Sequence, residues 1–144
     1  PLQGGANLYL NNELVTNLVL PENITTIPNY AFYGCSSLTS VDIPNTVTSI
    51  GENAFSGCSN VSKIISHRNT PPTTGNNCFE GISNETILLV SATVINNYDV
   101  EPWNRFVIKP LMVNHEHNVS DENGNKLYSL LFSIIYSNCF CIFR

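Results

Sequence analysis

Shifted by 23 residues, the sequence overlays on itself. Val15 meets Leu38, Leu18 meets Val41, Leu20 meets Ile43, Pro21 meets Pro44, Ile24 meets Val47 and Ile27 meets Ile50. Ala31-Phe32 meets Ala54-Phe55, and Gly34-Cys35-Ser36 meets Gly57-Cys58-Ser59. A third copy begins at Val61, with Ile64 in the place of Val41. It departs at Ser66-His67 and Thr70-Pro71-Pro72-Thr73, and recovers at Cys78-Phe79-Glu80-Gly81 with an offset of 24. A fourth starts near Thr86, with Leu88 and Val90 as strand residues. A fixed period of this length marks a repeat array, in which one unit cannot bury its apolar residues alone and neighbours must stack.

The spacing inside a unit says how it stacks. Val41 and Ile43 are two apart, as inward positions on a strand must be. Pro44 ends the strand, because it has no N–H to give a ladder. Val47 and Ile50 follow at three-residue spacing, which predicts a loose turn or 3₁₀ segment on the opposite side. Ala54-Phe55 and Cys58 fill the corner before the next strand. Stacking at about 4.8 Å per strand sets each Leu, Ile and Phe on its equivalent above and below. The expected fold is an α/β-type repeat solenoid, mostly β, with a parallel sheet on one face and irregular turns on the other.

Composition agrees. Hydrophobic residues make up 42% of the 144 and can supply a core, but charged residues are only 12%, about half the usual share. Neutral polar residues, 21 Asn among them, supply turn chemistry instead. The net charge is −5 and no Lys/Arg-rich run occurs, so nucleic-acid binding through phosphates is not expected. The chain shows no basic n-region or apolar h-region at its start, so these residues carry no signal peptide. The five cysteines form no CxxC pair, which removes the usual zinc-ribbon and thioredoxin patterns.

The run Leu38-Thr39-Ser40-Val41 through Ile43-Pro44, Val47-Thr48-Ser49-Ile50-Gly51, Ala54-Phe55 and Gly57-Cys58-Ser59 resembles the BspA-type leucine-rich repeat of bacterial surface proteins. Val15, Leu18, Leu20, Pro21, Ile24, Ile27, Ala31, Phe32, Gly34 and Cys35 match it a second time. Asn7 to Thr16 is similar to the β-hairpin that opens such arrays, with Asn11-Asn12 as its turn. Thr86 to Val90 as last strand, followed by Tyr98, Trp103, Phe106 and Ile108, is similar to the C-terminal unit. The resemblance covers about residues 6 to 112. It implies a short right-handed leucine-rich-repeat solenoid with an N-terminal hairpin and a C-terminal cap. It also implies a cell-surface or extracellular location, a non-enzymatic protein-binding or adhesion role and no catalytic residues. The partner would be a protein, such as a host extracellular-matrix or cell-surface protein. The alternative is a structural spacer or an array-terminating cap with no ligand of its own.

The expected layout is an opening hairpin or cap over 1–13 and a solenoid over 14–112, with units near 14–37, 38–60, 61–84 and 85–112. A polar linker over 113–126 and an apolar tail over 127–144 follow. By register, the solvent-facing strand positions are Asn17 and Val19, Ser40 and Asp42, Lys63 and Ile65, and Ile87 and Leu89. These eight are the candidate partner-binding residues. Val19, Ile65 and Leu89 form either a partner-binding stripe or exposed strand positions filled by β-propensity. Asp42 and Lys63 are placed to pair across turns, an interaction worth little at a surface. Cys35 and Cys58 share one repeat position and read as buried thiols packed as small hydrophobes rather than as a disulfide. Cys78 takes the place of Ala54.

No cofactor or metal is expected. His115-Glu116-His117 offers two ligands without a third, and Asp121 to Asn125 reads as a turn rather than a calcium loop. Tyr98, Trp103 and Phe106 read as the cap that hides the open apolar end of the stack. Residues 127 to 143 carry no charge, and three readings stand for them: a membrane anchor, one or two further strands, or a segment outside the fold.

Overall fold

The computed structural model describes residues 6–112 throughout, and the backbone of 118–120 and 126–128. Among the described residues twelve short strands succeed one another. They are β1 (Tyr9–Leu10), β2 (Glu13–Leu14), β3 (Asn17–Val19), β4 (Thr26–Ile27), β5 (Ser40–Ile43), β6 (Ser49–Ile50), β7 (Lys63–Ser66), β8 (Thr73–Thr74), β9 (Ile87–Val90), β10 (Val107–Pro110), β11 (Asn118–Ser120) and β12 (Lys126–Tyr128). Two 3₁₀ segments, Ala92–Tyr98 and Trp103–Arg105, lie between β9 and β10.

β1 and β2 form the expected antiparallel hairpin, Tyr9 opposite Leu14 and Leu10 opposite Glu13. Asn11 and Asn12 carry its turn at φ 52° and 65°, the left-handed region that a primed hairpin turn needs and Asn tolerates. Beyond the hairpin the chain winds into a parallel ladder of order β10-β9-β7-β5-β3. Val41 stands opposite Leu18 and Ile64, and Leu88 opposite Ile64 and Ile108, so the repeat offset read in the sequence is the strand register. β5 stops at Ile43, one residue before Pro44.

Two features depart from expectation. The far side of the stack is not irregular: β4, β6 and β8 form a second parallel ladder, with Thr26, Ser49 and Thr73 in one row and Ile27, Ile50 and Thr74 in the next. Two-residue strands carry no period for a pattern to reveal, but their buried isoleucines need extended backbone to reach the core. The ladder also does not end at Thr86–Val90. The chain returns through the 3₁₀ segments and lays β10 beside β9, Val107 opposite Ile87 and Lys109 opposite Leu89. Across the segment read as a polar linker and the first residues of the apolar tail, Asn118–Ser120 and Lys126–Tyr128 pair antiparallel. The His115-Glu116-His117 run, the Asp121–Asn125 stretch and residues 129–144 lie outside the described residues.

The core fills the space between the two ladders. Leu38, Ile43, Val47, Ala54, Cys58, Leu88, Val90 and Tyr98 are wholly buried. A phenylalanine column runs along the stack: Phe32 on Phe55 at 5.2 Å, then Phe55 on Phe79 at 6.0 Å, with rings 14° and 16° from parallel. The column ends edge-on, Trp103 and Phe106 meeting Phe79 at 5.0 and 5.3 Å with rings at 67° and 75°. Val15, Leu18, Ile24 and Phe32 of the first turn are only partly buried, because that turn has a neighbour on one side.

Hydroxyls at the bends explain the polar composition. Thr39 donates to the Thr16 carbonyl at 3.1 Å, Thr48 to Thr25 at 3.1 Å, and Thr86 to Val61 at 2.8 Å. The Thr16 and Thr25 carbonyls also accept the backbone N–H of the same threonines, at 2.7 and 2.8 Å, so these hydroxyls add a second bond to a carbonyl one turn away.

The irregular third unit turns out to be cut to fit the cap. Ser66 occupies the row of Ile43 but is buried beside Tyr98, with 2.6 Å between the hydroxyls. The Tyr98 hydroxyl donates to the Arg68 carbonyl at 3.1 Å, and the Trp103 indole to the Pro72 carbonyl at 3.1 Å. Arg105 reaches back to the carbonyls of Phe79 and Ile82 at 3.3 and 3.0 Å and to the Asn84 side chain at 3.0 Å. A small polar residue at 66 makes room for the phenol and gives it a partner.

Candidate functional site

The eight outward positions named from the sequence lie in two straight rows across the long ladder. One row is Asn17, Ser40, Lys63 and Ile87; the other is Val19, Asp42, Ile65 and Leu89. β10 extends them with Val107 and Lys109. Those two were missed because Val107-Ile108-Lys109 sits in the non-repeating exit, where no 23-residue offset points to it. Alternation alone could have found it, since Ile108 faces in and its neighbours out. Asn17, Val19, Lys63, Val107 and Lys109 are exposed, while Ser40, Asp42, Ile65, Ile87 and Leu89 are half-buried by their row neighbours.

The rows have a polarity. The β3–β5 end carries hydrogen-bonding groups, with Ser40 donating to the Asn17 side chain at 2.7 Å. Asp42 does not pair with Lys63. Its carboxylate lies 2.8 Å from His67 Nε2, because register sets Asp42 beside Ile65 and places Lys63 beside Ser40. A cleft of 290 Å³ opens next to this pair, lined by Val19, Leu20, Glu22, Pro44 and Asn45 as well. Toward β9 the rows become apolar with Ile87 and Leu89, and on β10 they end in Val107 and Lys109.

Cys35, Cys58 and Cys78 are free thiols in the core. Cys58 Sγ lies 3.1 Å from the Phe32 carbonyl, to which it donates. Burial, with a smaller contribution from the cysteine one turn away, pushes the Cys58 and Cys78 thiols up to about 12. Thiolate chemistry is therefore suppressed at neutral pH. Two results are expected. With Cys139→Ser and Cys141→Ser in place, a thiol reagent should label almost nothing in the folded chain at neutral pH, and three cysteines in denaturant. The unfolded chain ionises Cys58 and Cys78 from about 9.0 upward while the folded chain holds their protons to about 12. Stability is therefore fully present below pH 9 and falls across that window. Rapid labelling of the native chain would contradict the closed column.

Among the described residues no group of three or more His, Cys, Asp or Glu is placed to hold a metal ion, and no helix is long and apolar enough to cross a membrane.

Parallel strands stacked at a repeat of 23 to 24 residues, with a phenylalanine column inside and an ordered face of strand side chains outside, define a leucine-rich-repeat solenoid, a class of protein-interaction module. The chain belongs to the BspA type leucine rich repeat family, whose model matches six copies over residues 5–100. No curated protein matches the chain significantly.

Proposed function

We propose that the chain is the binding module of a cell-surface or secreted bacterial protein. It would adhere to protein partners, such as host extracellular-matrix or cell-surface proteins, through the outer face of the long ladder. The reading is supported chiefly by the two straight rows of outward side chains, Asn17 to Val107 and Val19 to Lys109, held on a parallel ladder. A face fixed in advance loses little conformational entropy when a partner docks, so modest apolar contact suffices for affinity. Family membership supports a protein-interaction role in general.

The double variant Asp42→Arg, Ile65→Glu should lower adhesion to a panel of immobilised matrix proteins by about tenfold or more, since charge placed in a desolvated contact is costly. Circular dichroism should stay unchanged. Adhesion unaffected by the pair of substitutions would favour the second reading, an array-terminating cap without a ligand. The aromatic closure by Tyr98, Trp103 and Phe106 is the observation behind that alternative.

A further inference from the structure

The last three strands of the long ladder form a grid of two rows. One row reads Lys63, Ile87, Val107, and the other Ile65, Leu89, Lys109. Four apolar side chains thus fill the middle and two corners, and the two lysines stand at opposite corners. Strand spacing and rise put the lysine Cα atoms about 12 Å apart across the diagonal. The chain has only three lysines, and its net charge is −5. Two of its three lysines therefore border one apolar patch on an otherwise acidic chain. Exposed lysines are ordinary at a sheet edge, and Lys109 on the edge strand β10 guards against stray pairing. Lys63 is on an interior strand, where edge protection is not needed. Asp42, the nearest acidic group along the row, is engaged by His67 at 2.8 Å and marks where the cationic part of the face stops.

We infer that this grid docks an acidic, extended polypeptide segment: apolar side chains on Ile65, Ile87, Leu89 and Val107, with carboxylates about 12 Å apart meeting Lys63 and Lys109. Residues four apart on an extended chain are about 13 Å apart, so an Asp or Glu at each end of a five-residue segment, with three apolar residues between them, spans the diagonal. A basic segment would place like charges together at both corners. The inference rests on the outer sheet face being the partner surface and names the partner's chemistry.

The test uses the full chain and two labelled peptides with Gly-Ser flanks, Glu-Val-Ile-Val-Glu and Lys-Val-Ile-Val-Lys, followed by fluorescence anisotropy. The acidic peptide should bind about tenfold tighter than the basic one at low salt, and about 0.5 M salt should erase most of the difference. Lys63→Glu with Lys109→Glu should invert the preference, and Lys63→Gln with Lys109→Gln should abolish it. Equal binding of both peptides, binding of neither, or an unchanged preference in the charge-reversed variant would overturn the inference. So would sedimentation of the protein with phosphatidylserine vesicles but not with neutral ones, together with no acidic-peptide preference, because the lysines would then serve a lipid surface. Matrix adhesion lost in Asp42→Arg, Ile65→Glu without a peptide preference keeps the face and removes the acidic partner. The reverse pair of results keeps the grid and removes the adhesive role.

Discussion

Trp103→Ala should destabilise the chain by about 3 to 5 kcal/mol, the range for removing a large buried aromatic. Trp103 is 1% exposed. It meets Phe79 and Tyr98 edge-on at 5.0 and 5.6 Å and donates its indole N–H to the Pro72 carbonyl. Truncation would open a cavity at the end of the phenylalanine column and leave that carbonyl without its donor. Trp103→Phe keeps most of the area but not the donor, and should cost about 1 to 2 kcal/mol. Trp103 is the sole tryptophan, so unfolding should be followed by circular dichroism. In a stack where each turn contacts only its neighbours, loss at one end is felt first next door. Amide exchange should therefore speed up in β8, β9 and β10 before β3 and β5. An unfolding midpoint equal to that of the parent chain would mean that the tryptophan does not close the array.

The second large effect comes from close backbone approach. A Cβ on Gly51 would lie 2.4 Å from the Asn29 backbone nitrogen and 2.7 Å from the Pro28 carbonyl carbon. Those atoms belong to the neighbouring turn, which is held in place from both sides: Gly51 N–H donates to the Ile27 carbonyl at 2.8 Å, and Tyr30 N–H to the Glu52 carbonyl at 2.9 Å. Nothing flexible can give way. Gly51→Ala should cost about 3 kcal/mol, the upper end for overpacking, and should force the second ladder apart at β4 and β6. Gly34→Ala is the comparison. Its φ of 70° strains any L side chain, but nothing lies within 4 Å of the added methyl, so the cost should be nearer about 1 kcal/mol. Denaturant midpoints that rank the two the other way would show that conformation, not contact, sets the cost at these glycines.

The Gly51 position was visible in the sequence as part of the Ile-Gly pair, but its reason was not. A repeat alignment shows that a residue recurs or stands alone. It does not show which backbone occupies the place a Cβ would take. The same limit applies at Ser66. The sequence marked it as a break in the pattern, and the structure shows a hydroxyl placed for Tyr98, 32 residues further on. Asp42 illustrates a third kind of miss. Proximity across turns suggested Lys63, but strand register set Lys63 beside Ser40 and left His67 within 2.8 Å of the carboxylate.

The candidate face divides in the same way. Eight of its ten positions could be read from the alternation of β3, β5, β7 and β9, because an offset that aligns apolar residues inward aligns their neighbours outward. Val107 and Lys109 were missed, because the exit unit has no second copy to be compared with and only the alternation around Ile108 pointed to them. Without them the apolar rows end at Leu89 and Ile87, and the diagonal pair of lysines does not exist.

The sequence by itself determined the repeat, the strand register, the hairpin turn at Asn11-Asn12 and the inward column, since each rests on local spacing and on identity between successive turns. Only the tertiary structure decided the second ladder, the return of β10 and the cap that Ser66, Arg68 and Pro72 receive. Those depend on which groups remain unpaired once the turns are stacked: buried carbonyls that need donors, and an apolar end that needs covering. Such demands arise from the assembled stack, so no single stretch of residues announces them.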